Sequence, residues 1–438
     1  MDKEFSSKPK LLLINPPVYD FALYDLFLQP FGLLRIGAWL EREGYAVSLL
    51  DCLNINDPYS LRAYGAPKRR ENGTGKFFRQ SISYPAVQKN VQRRFARYGI
   101  DPESIKEELE RVKPDLVMVT SGMTYWYQGV VEICNILREK LPGVPVIIGG
   151  IYASLMPEHC EASTGAITAP GPAEESLPPL LSQLGFPQPK GSISIRDMLP
   201  HVALQRGAAV LRLSQGCPFQ CRYCASRAIT PGFALGRAED LLNQYNKFYS
   251  LGIRNFAFYD DALLFRKEEA LLPFLKGVIE SDLRGSFYMP NAAHVAYLDK
   301  ETAELLYKAG FKEARLGFES LLPGFHEELG EKYSQGVMRE AVENLKRAGF
   351  SGREIFLYVL AGLPGQPYQE AEDSVRFCLD LGVRPVVAEY SPVPGSSLWD
   401  TCLASADLPL AREPLYHNNS LFPLEWEGFT RENLKSLK

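Results

Sequence analysis

Apolar positions in the first third of the chain alternate between short continuous runs and helical stripes. Residues 11–14 form an apolar run closed by Asn15-Pro16-Pro17, the pattern of a buried parallel strand stopped by prolines that donate no ladder hydrogen bond. From Phe31 the sequence FGLLRIGAWLEREG places Leu33, Leu34, Ile36 and Leu40 near one face, with Arg35, Glu41 and Arg42 charged and Gly44 as a helix stop. Residues 45–50 read as the next strand. Asp101-Pro102, a cap followed by proline in the first turn, opens a helix that leads into a strand over 115–120. A further helix over 130–141 and a strand over 144–148 precede Gly149-Gly150. This repetition predicts an α/β domain over residues 1–185, a doubly wound parallel sheet with helices on both faces.

The second half repeats the alternation. Strands are expected at 209–214, 256–260, 287–291, 314–319, 355–362 and 386–390, with helices such as 300–309 and 337–349 between them. Gly185-Phe186-Pro187-Gln188-Pro189 begins a linker that extends over 186–208. A final segment, 401–438, carries His417, Phe422 and Trp426, expected to pack with Trp399 over the open side of the second domain.

Composition narrows the function classes. With 438 residues, 46% hydrophobic and 23% charged, the chain can bury sizeable cores and is neither disordered nor fibrous. A formal charge of −4 argues against a surface built as a whole to neutralise nucleic acid. The charged start Met1-Asp2-Lys3-Glu4-Phe5 lacks a signal-peptide run, and no stretch of about 18 apolar residues could span a bilayer. A cytoplasmic protein is expected. Charge is nevertheless uneven. An insertion over 52–100 contains the window 68–97, which carries Lys68, Arg69, Arg70, Lys76, Arg79, Lys89, Arg93, Arg94 and Arg97 against Glu71 alone. With Phe77, Phe78 and Phe95 interleaved, it reads either as a patch for phosphate, a nucleic-acid strand or an acidic partner, or as a solvated excursion. Gly73-Thr74-Gly75-Lys76 is only a weak echo of a phosphate loop, since no strand precedes it and the first glycine is missing.

Of eight cysteines, Cys52, Cys134, Cys160, Cys378 and Cys402 are scattered, as buried inert thiols are. The other three, Cys217, Cys221 and Cys224, follow a strand-like AVLRLS as Cys-x3-Cys-x2-Cys. Three thiolates so spaced can hold three corners of a [4Fe–4S] cube and leave one iron open to the amino and carboxylate groups of S-adenosylmethionine. Structural zinc needs four ligands, and no nearby Cys or His completes a finger spacing.

The triad, with the aromatic Tyr223 before its third cysteine, resembles the radical S-adenosylmethionine superfamily, and the resemblance runs through almost everything after Ala208. It implies a partial (β/α)6 barrel over 209–400 with ligands at the carboxyl ends of its strands. It further implies that backbone at Tyr259-Asp260-Asp261 meets the amino group of S-adenosylmethionine, and that Glu319 or Ser320 contacts its amino-acid or ribose part. Gly362-Leu363-Pro364-Gly365 would line adenine, and Tyr390-Ser391-Pro392-Val393-Pro394-Gly395 is similar to a Tyr-x-Pro-x-Pro-Gly segment of these enzymes. Taken singly, Asp260, Asp261 and Glu319 also read as ordinary cap residues. No second cysteine cluster follows Cys224.

Upstream, LLLINPP, PFGLLRIGAWLEREGYAVSLLD and GPAEESLPPLL, together with Ser121-Gly122-Met123 and Gly149-Gly150, resemble the cobalamin-binding region that precedes many radical S-adenosylmethionine enzymes. The resemblance implies cobalamin held near Ser121, Gly122, Gly149, Gly150, Tyr152 and Gly171. The Asp-x-His-x-x-Gly motif of cobalamin-dependent mutases is missing, and no histidine precedes His159, so the first loop supplies no axial ligand.

The implied activity is methyl transfer to an unactivated carbon: a 5′-deoxyadenosyl radical removes hydrogen, methylcobalamin delivers the methyl group and a second S-adenosylmethionine restores it. An electron donor such as flavodoxin or ferredoxin is implied, and the substrate, a small molecule or a modified macromolecule, is open. The rivals are a radical rearrangement, cyclisation or oxidation without methyl transfer, a corrinoid-binding or regulatory protein, and an iron–sulfur electron carrier. A carrier needs no barrel, and a regulator needs no open-cornered cluster.

Overall fold

The apolar run at 11–14 is the centre of a strand, β1 (Lys10–Asn15), in a computed structural model that describes residues 8–88, 91, 93–194, 197–321, 335–421 and 429–437. The chain divides into two compact units, Met1–Gly207 with Arg412–Tyr416, and Ala208–Ala411 with His417–Lys438.

In the first unit β1 is followed by α1 (Phe31–Arg42), β2 (Ala46–Asp51), α2 (Pro102–Val112), β3 (Leu116–Ser121), α3 (Tyr127–Lys140), β4 (Val146–Gly150), α4 (Ile151–Leu155), β5 (Ile167–Thr168) and α5 (Ala173–Gln183). The five strands are parallel in the order β2-β1-β3-β4-β5, so the winding reverses between β1 and β3. Local chemistry explains the boundaries. Asp101 caps α2 by accepting from Glu103 N at 3.0 Å, with Pro102 supplying the preset φ of the first turn. The stripe of α1 buries Leu33, Leu34, Trp39 and Leu40, and Gly37 is needed where a Cβ would lie 2.5 Å from Leu13.

Of the stretch read as a linker, 186–208, Ala208 opens the second unit and the rest, up to Gly207, belongs to this one. It wraps α1, with Gly191 O accepting from Trp39 Nε1 at 2.9 Å, Glu43 accepting from Lys190 N at 2.8 Å, and Arg42 paired with Asp197. Its end is fixed by Arg206, which pairs with Asp51 at 2.6 Å inside a cluster that also holds Asp25 and Arg69, a set of buried charges the pattern of the chain gave no sign of.

The insertion over 52–100 is likewise no free basic excursion. Residues 79–81 and 18–20 flank 96–98 in a small antiparallel sheet, and Phe77, Phe78 and Phe95 are core residues rather than stacking surfaces. Arg97 is buried against Glu132 at 2.7 Å, while Lys68, Arg70, Lys76, Arg79, Arg93 and Arg94 stay exposed. Gly73-Thr74-Gly75-Lys76 folds back on 68–70 and on Asp25, so the amides of Gly75 and Lys76 are already bonded within the protein.

The second unit alternates β6 (Ala208–Leu211), α6 (Ala238–Ser250), β7 (Asn255–Phe258), α7 (Leu271–Glu280), β8 (Ser286–Tyr288), β9 (Ala293–His294), α8 (Lys300–Ala309), β10 (Ala314–Glu319), α9 (Gln335–Ala348), β11 (Ile355–Ala361), α10 (Tyr368–Asp380) and β12 (Arg384–Glu389). All pair in parallel, in two sheets of order β8-β7-β6 and β9-β10-β11-β12. The third expected strand, 287–291, is therefore broken. Met289-Pro290-Asn291-Ala292 separates β8 from β9, and Pro290 has no N–H for a ladder. The sixfold alternation of a partial barrel survives with that one strand split between the two sheets. Its core is aromatic: Tyr245, Phe256, Phe258, Phe274, Phe287 and Phe311 are all buried.

The first strand also ends early. Residues 214–216 pair antiparallel with 233–235 in a hairpin. At the tail, His417 is buried, meets Trp399 edge-on at 5.3 Å and shares its Nε2 with Leu410 O at 2.8 Å, whereas Arg412–Tyr416 clusters with the first unit. Phe422 and Trp426 lie outside the described residues. Among the described residues no helix is long and apolar enough to cross a membrane.

Candidate active site

The hairpin after β6 carries the cysteine triad. Gly216, at φ +75°, sits where a Cβ would lie 2.2 Å from Gly232 O, so only glycine lets the two arms close at the mouth of the loop. Asp260, which follows β7, is buried and accepts from Leu213 N at 3.0 Å and from Ser214 N and Oγ, both at 2.6 Å. Its carboxylate thereby holds the stretch that enters the cysteine loop. Within the loop Cys224 N donates to Cys221 O at 3.0 Å, and Ser226 N donates to Cys224 Sγ at 3.4 Å. Burial pushes the Cys217 thiol up to about 11 and the Cys221 thiol up to about 12.

All three cysteines line a cavity of about 390 Å³ together with Tyr223, Asp261, Asn291, His294, Glu319 and Tyr358. A second hollow of about 260 Å³ shares the cysteines and adds Arg227, Gly395 and Ser397. Leu398 N donates to Arg222 O at 3.0 Å, tying the stretch after Gly395 to the loop.

Glu319 is the most constrained group of the cavity. It stands at a register shift of β10 with φ +64°, a left-handed conformation unusual for a non-glycine residue. Burial raises its carboxyl to about 7, and a hydrogen bond from the Tyr223 hydroxyl opposes that rise. On the opposite wall Asp261 pairs with Arg212 at 3.2 Å, and His294 stacks on Phe219 at 4.6 Å. Asn291 Nδ2 donates to Tyr259 O and Asp260 O at 3.3 and 3.4 Å, which gathers the strand ends around the cavity.

In the first unit the carboxyl ends of β3 and β4 are locked to each other. Ser121 Oγ donates to Gly149 O at 2.7 Å and accepts from Ala153 N at 3.1 Å. Gly150, at φ +95°, has no room for a Cβ, which would lie 2.4 Å from Ser121 O, and a Cβ on Gly122 would meet Trp126 at 2.8 Å. Gly149 differs: its nearest neighbour would be Ala169 O at 3.7 Å, ordinary contact, and Gly171 has nothing within 4 Å.

Comparison with known proteins decides between the families this geometry allows. Residues 211–378 match the model of the Radical SAM superfamily and residues 88–181 that of the B12 binding domain. The chain is a radical SAM protein with a B12-binding domain. An uncharacterized methyltransferase of Pyrococcus horikoshii is 22% identical over 74% of this chain and 74% of its own length. The cytidylyl-2-hydroxyethylphosphonate methyltransferase of Streptomyces wedmorensis is 26% identical over 34% of this chain and 24% of its own length. The fold is also that of the radical S-adenosylmethionine methyltransferase TsrM from Kitasatospora setae, with TM-score 0.67 and 16% identity over 92% of this chain and 78% of that one.

Within this radical SAM protein, the residues expected to contact ligands divide in two. Cys217, Cys221, Cys224, Tyr223, Asp261 and Glu319 come together on one cavity. Others turn inward. Asp260 spends its carboxylate on Leu213 and Ser214; Ser320 Oγ donates to Glu370 at 2.6 Å; and Tyr152 is fully buried, its hydroxyl 2.6 Å from His159 Nδ1. These three hold protein to protein, and Ser121 and Gly150 do the same in the B12-binding domain.

Asn291, His294 and Tyr358 were not anticipated. For Asn291 and His294 the signal was Pro290, which breaks a strand where the barrel ought to continue; Tyr358, on β11, had none. Among the described residues no group of three or more His, Cys, Asp or Glu side chains is arranged to hold a single metal ion. A cube takes each thiolate on a different iron, so three thiols spread along one cavity wall fit a cluster and do not form a one-ion cage.

Proposed function

We propose that this protein is a cobalamin-dependent radical S-adenosylmethionine methyltransferase acting on an unactivated carbon. The observation that carries the reading is the single cavity shared by three loop cysteines, Tyr223 and Glu319, in a chain that also has a B12-binding domain. Cys217, Cys221 and Cys224 would hold the cluster, and Gly149 and Gly171 would face the corrin. When bound, the cluster supplies the electron that cleaves S-adenosylmethionine, and cobalamin supplies a cobalt that carries the methyl group.

The protein's own residues do the rest. Glu319 would accept the ammonium of S-adenosylmethionine, with the Tyr223 hydroxyl fixing its carboxylate. Gly362 to Gly365, at the end of β11, would flank the adenine. Support for methyl transfer comes from relatives: two of those matched are methyltransferases by name, and TsrM has been solved with cobalamin and a [4Fe–4S] cluster bound. A one-electron reductant is required, and a flavodoxin or ferredoxin would serve.

The test is anaerobic reconstitution with iron, sulfide and hydroxocobalamin, followed by incubation with S-adenosylmethionine, reductant and a cell extract as the source of substrate. Both 5′-deoxyadenosine and S-adenosylhomocysteine are expected, with labelled methyl entering an extract component. Formation of 5′-deoxyadenosine with neither of the others would replace methyl transfer by a radical rearrangement or cyclisation.

A further inference from the structure

A buried carboxylate outside the cavity, that of Glu370, bonds the residues that directly follow the cavity residue Glu319. Glu370 lies in the first turn of α10 and is buried. A buried carboxylate is costly unless hydrogen bonds saturate it. Here Ser320 Oγ donates at 2.6 Å, Leu321 N at 2.7 Å, Ser374 Oγ at 2.7 Å and Gln366 Nε2 at 2.5 Å. Two of those donors come from the residues directly after Glu319. Gln366 comes from the loop after β11, and its Oε1 accepts from Gly362 N at 2.8 Å and Leu363 N at 3.2 Å. One carboxylate thus clamps the loop that follows β10 to the loop that follows β11.

The clamp falls where the backbone is least able to hold itself. Glu319, at φ +64°, sits at a register shift, a strained conformation for a non-glycine residue that persists only where its surroundings hold it. An acidic residue in the first turn favours a helix through its dipole, but that role is met as well by a solvent-facing side chain. Saturation by donors from two separate strand ends is not needed for it.

We propose that Glu370 is a positioning residue for S-adenosylmethionine: it aims the Glu319 carboxylate and the Gly362-Leu363-Pro364-Gly365 loop at the cofactor without touching it. The inference rests on reading Glu319 as a contact to S-adenosylmethionine. If Glu370 acts through Glu319, removing Glu319 removes most of what Glu370 contributes to binding.

The experiment is a double-mutant cycle on reconstituted protein, reading the S-adenosylmethionine dissociation constant by calorimetry, with iron content and melting temperature as controls. Glu319→Ala is expected to weaken binding about tenfold or more, as loss of one charged hydrogen bond does. Glu370→Gln, which puts an amide against four donors, is expected to weaken it about fivefold in the wild type and less than about twofold in the Glu319→Ala background. Ser320→Ala removes a single donor and carries the same cycle if Glu370→Gln fails to fold. Equal effects of Glu370→Gln in both backgrounds, or none in the wild type, would overturn the positioning role while leaving Glu319 in place. An unchanged constant for Glu319→Ala would remove both, and would do so before Glu370 is tested.

Discussion

The strand ends of the two units are fastened by the same devices in different places. In the radical SAM unit carboxylates do the fastening: Asp260 holds Leu213 and Ser214, and Glu370 holds Ser320, Leu321 and Gln366. In the B12-binding unit Asp51 accepts from Asn15 Nδ2 at 2.6 Å to tie β2 to β1 and Ser121 Oγ ties β3 to β4, while glycines add close backbone-to-backbone contacts. A Cβ on Gly150 would lie 2.4 Å from Ser121 O, one on Gly129 1.8 Å from Pro17 O, and one on Gly99 2.6 Å from Cys52 O. The two edges differ in what each can receive. In the radical SAM unit a few polar groups, Asp261, Asn291, His294 and Glu319, stand on an otherwise largely apolar cavity wall, which suits a compact ligand held at defined points, whereas the open positions of Gly149 and Gly171 let a broad planar ligand approach the backbone.

That contrast breaks most completely at the cysteines. Replacing Cys217, Cys221 and Cys224 together by alanine is expected to remove all cluster iron and all reductive cleavage of S-adenosylmethionine, measured by iron analysis and by 5′-deoxyadenosine. The B12-binding unit contributes no thiol to that loop, so its corrinoid uptake is expected to persist.

A smaller but still large effect is expected at Gly150. Gly150→Leu combines a left-handed φ with a clash against Ser121 backbone, and about 2–4 kcal/mol of destabilisation is expected on denaturant unfolding. Next in size is Asp260→Ala, which strands two backbone amides and a hydroxyl. About 2–3 kcal/mol and a lowered cluster content are expected, with Asp260→Asn intermediate. If Asp260→Ala kept full iron content, the carboxylate would not be what shapes the cysteine loop.

Fold class was legible because buried parallel strands read as short apolar runs between amphipathic helices in both halves of the chain. The cysteine triad was legible because ligand spacing is local in sequence. What stayed hidden was long-range. Glu370 meets Ser320 across 50 residues and Arg206 meets Asp51 across 155, and neither carries a local signature. The hydrogen-bond partners of Tyr152 and Ser320 were hidden for the same reason: a motif places a residue near a strand end, but the direction of its side chain is set by packing from elsewhere. Residues 186–208 looked like a linker because Gly and Pro mark irregular chain, and irregular chain can still be bonded along its length to α1.

The central claim, that two units hold two separate cofactors, is tested most directly at Gly149, where an added Cβ would meet no protein atom closer than 3.7 Å. Reconstituted wild type and Gly149→Leu are to be compared for corrinoid and iron retained per chain after gel filtration. The account predicts one corrinoid and one cluster in the wild type, and in Gly149→Leu an unchanged cluster, an unchanged melting temperature and no corrinoid. Full corrinoid retention in Gly149→Leu, or none in the wild type, would contradict it.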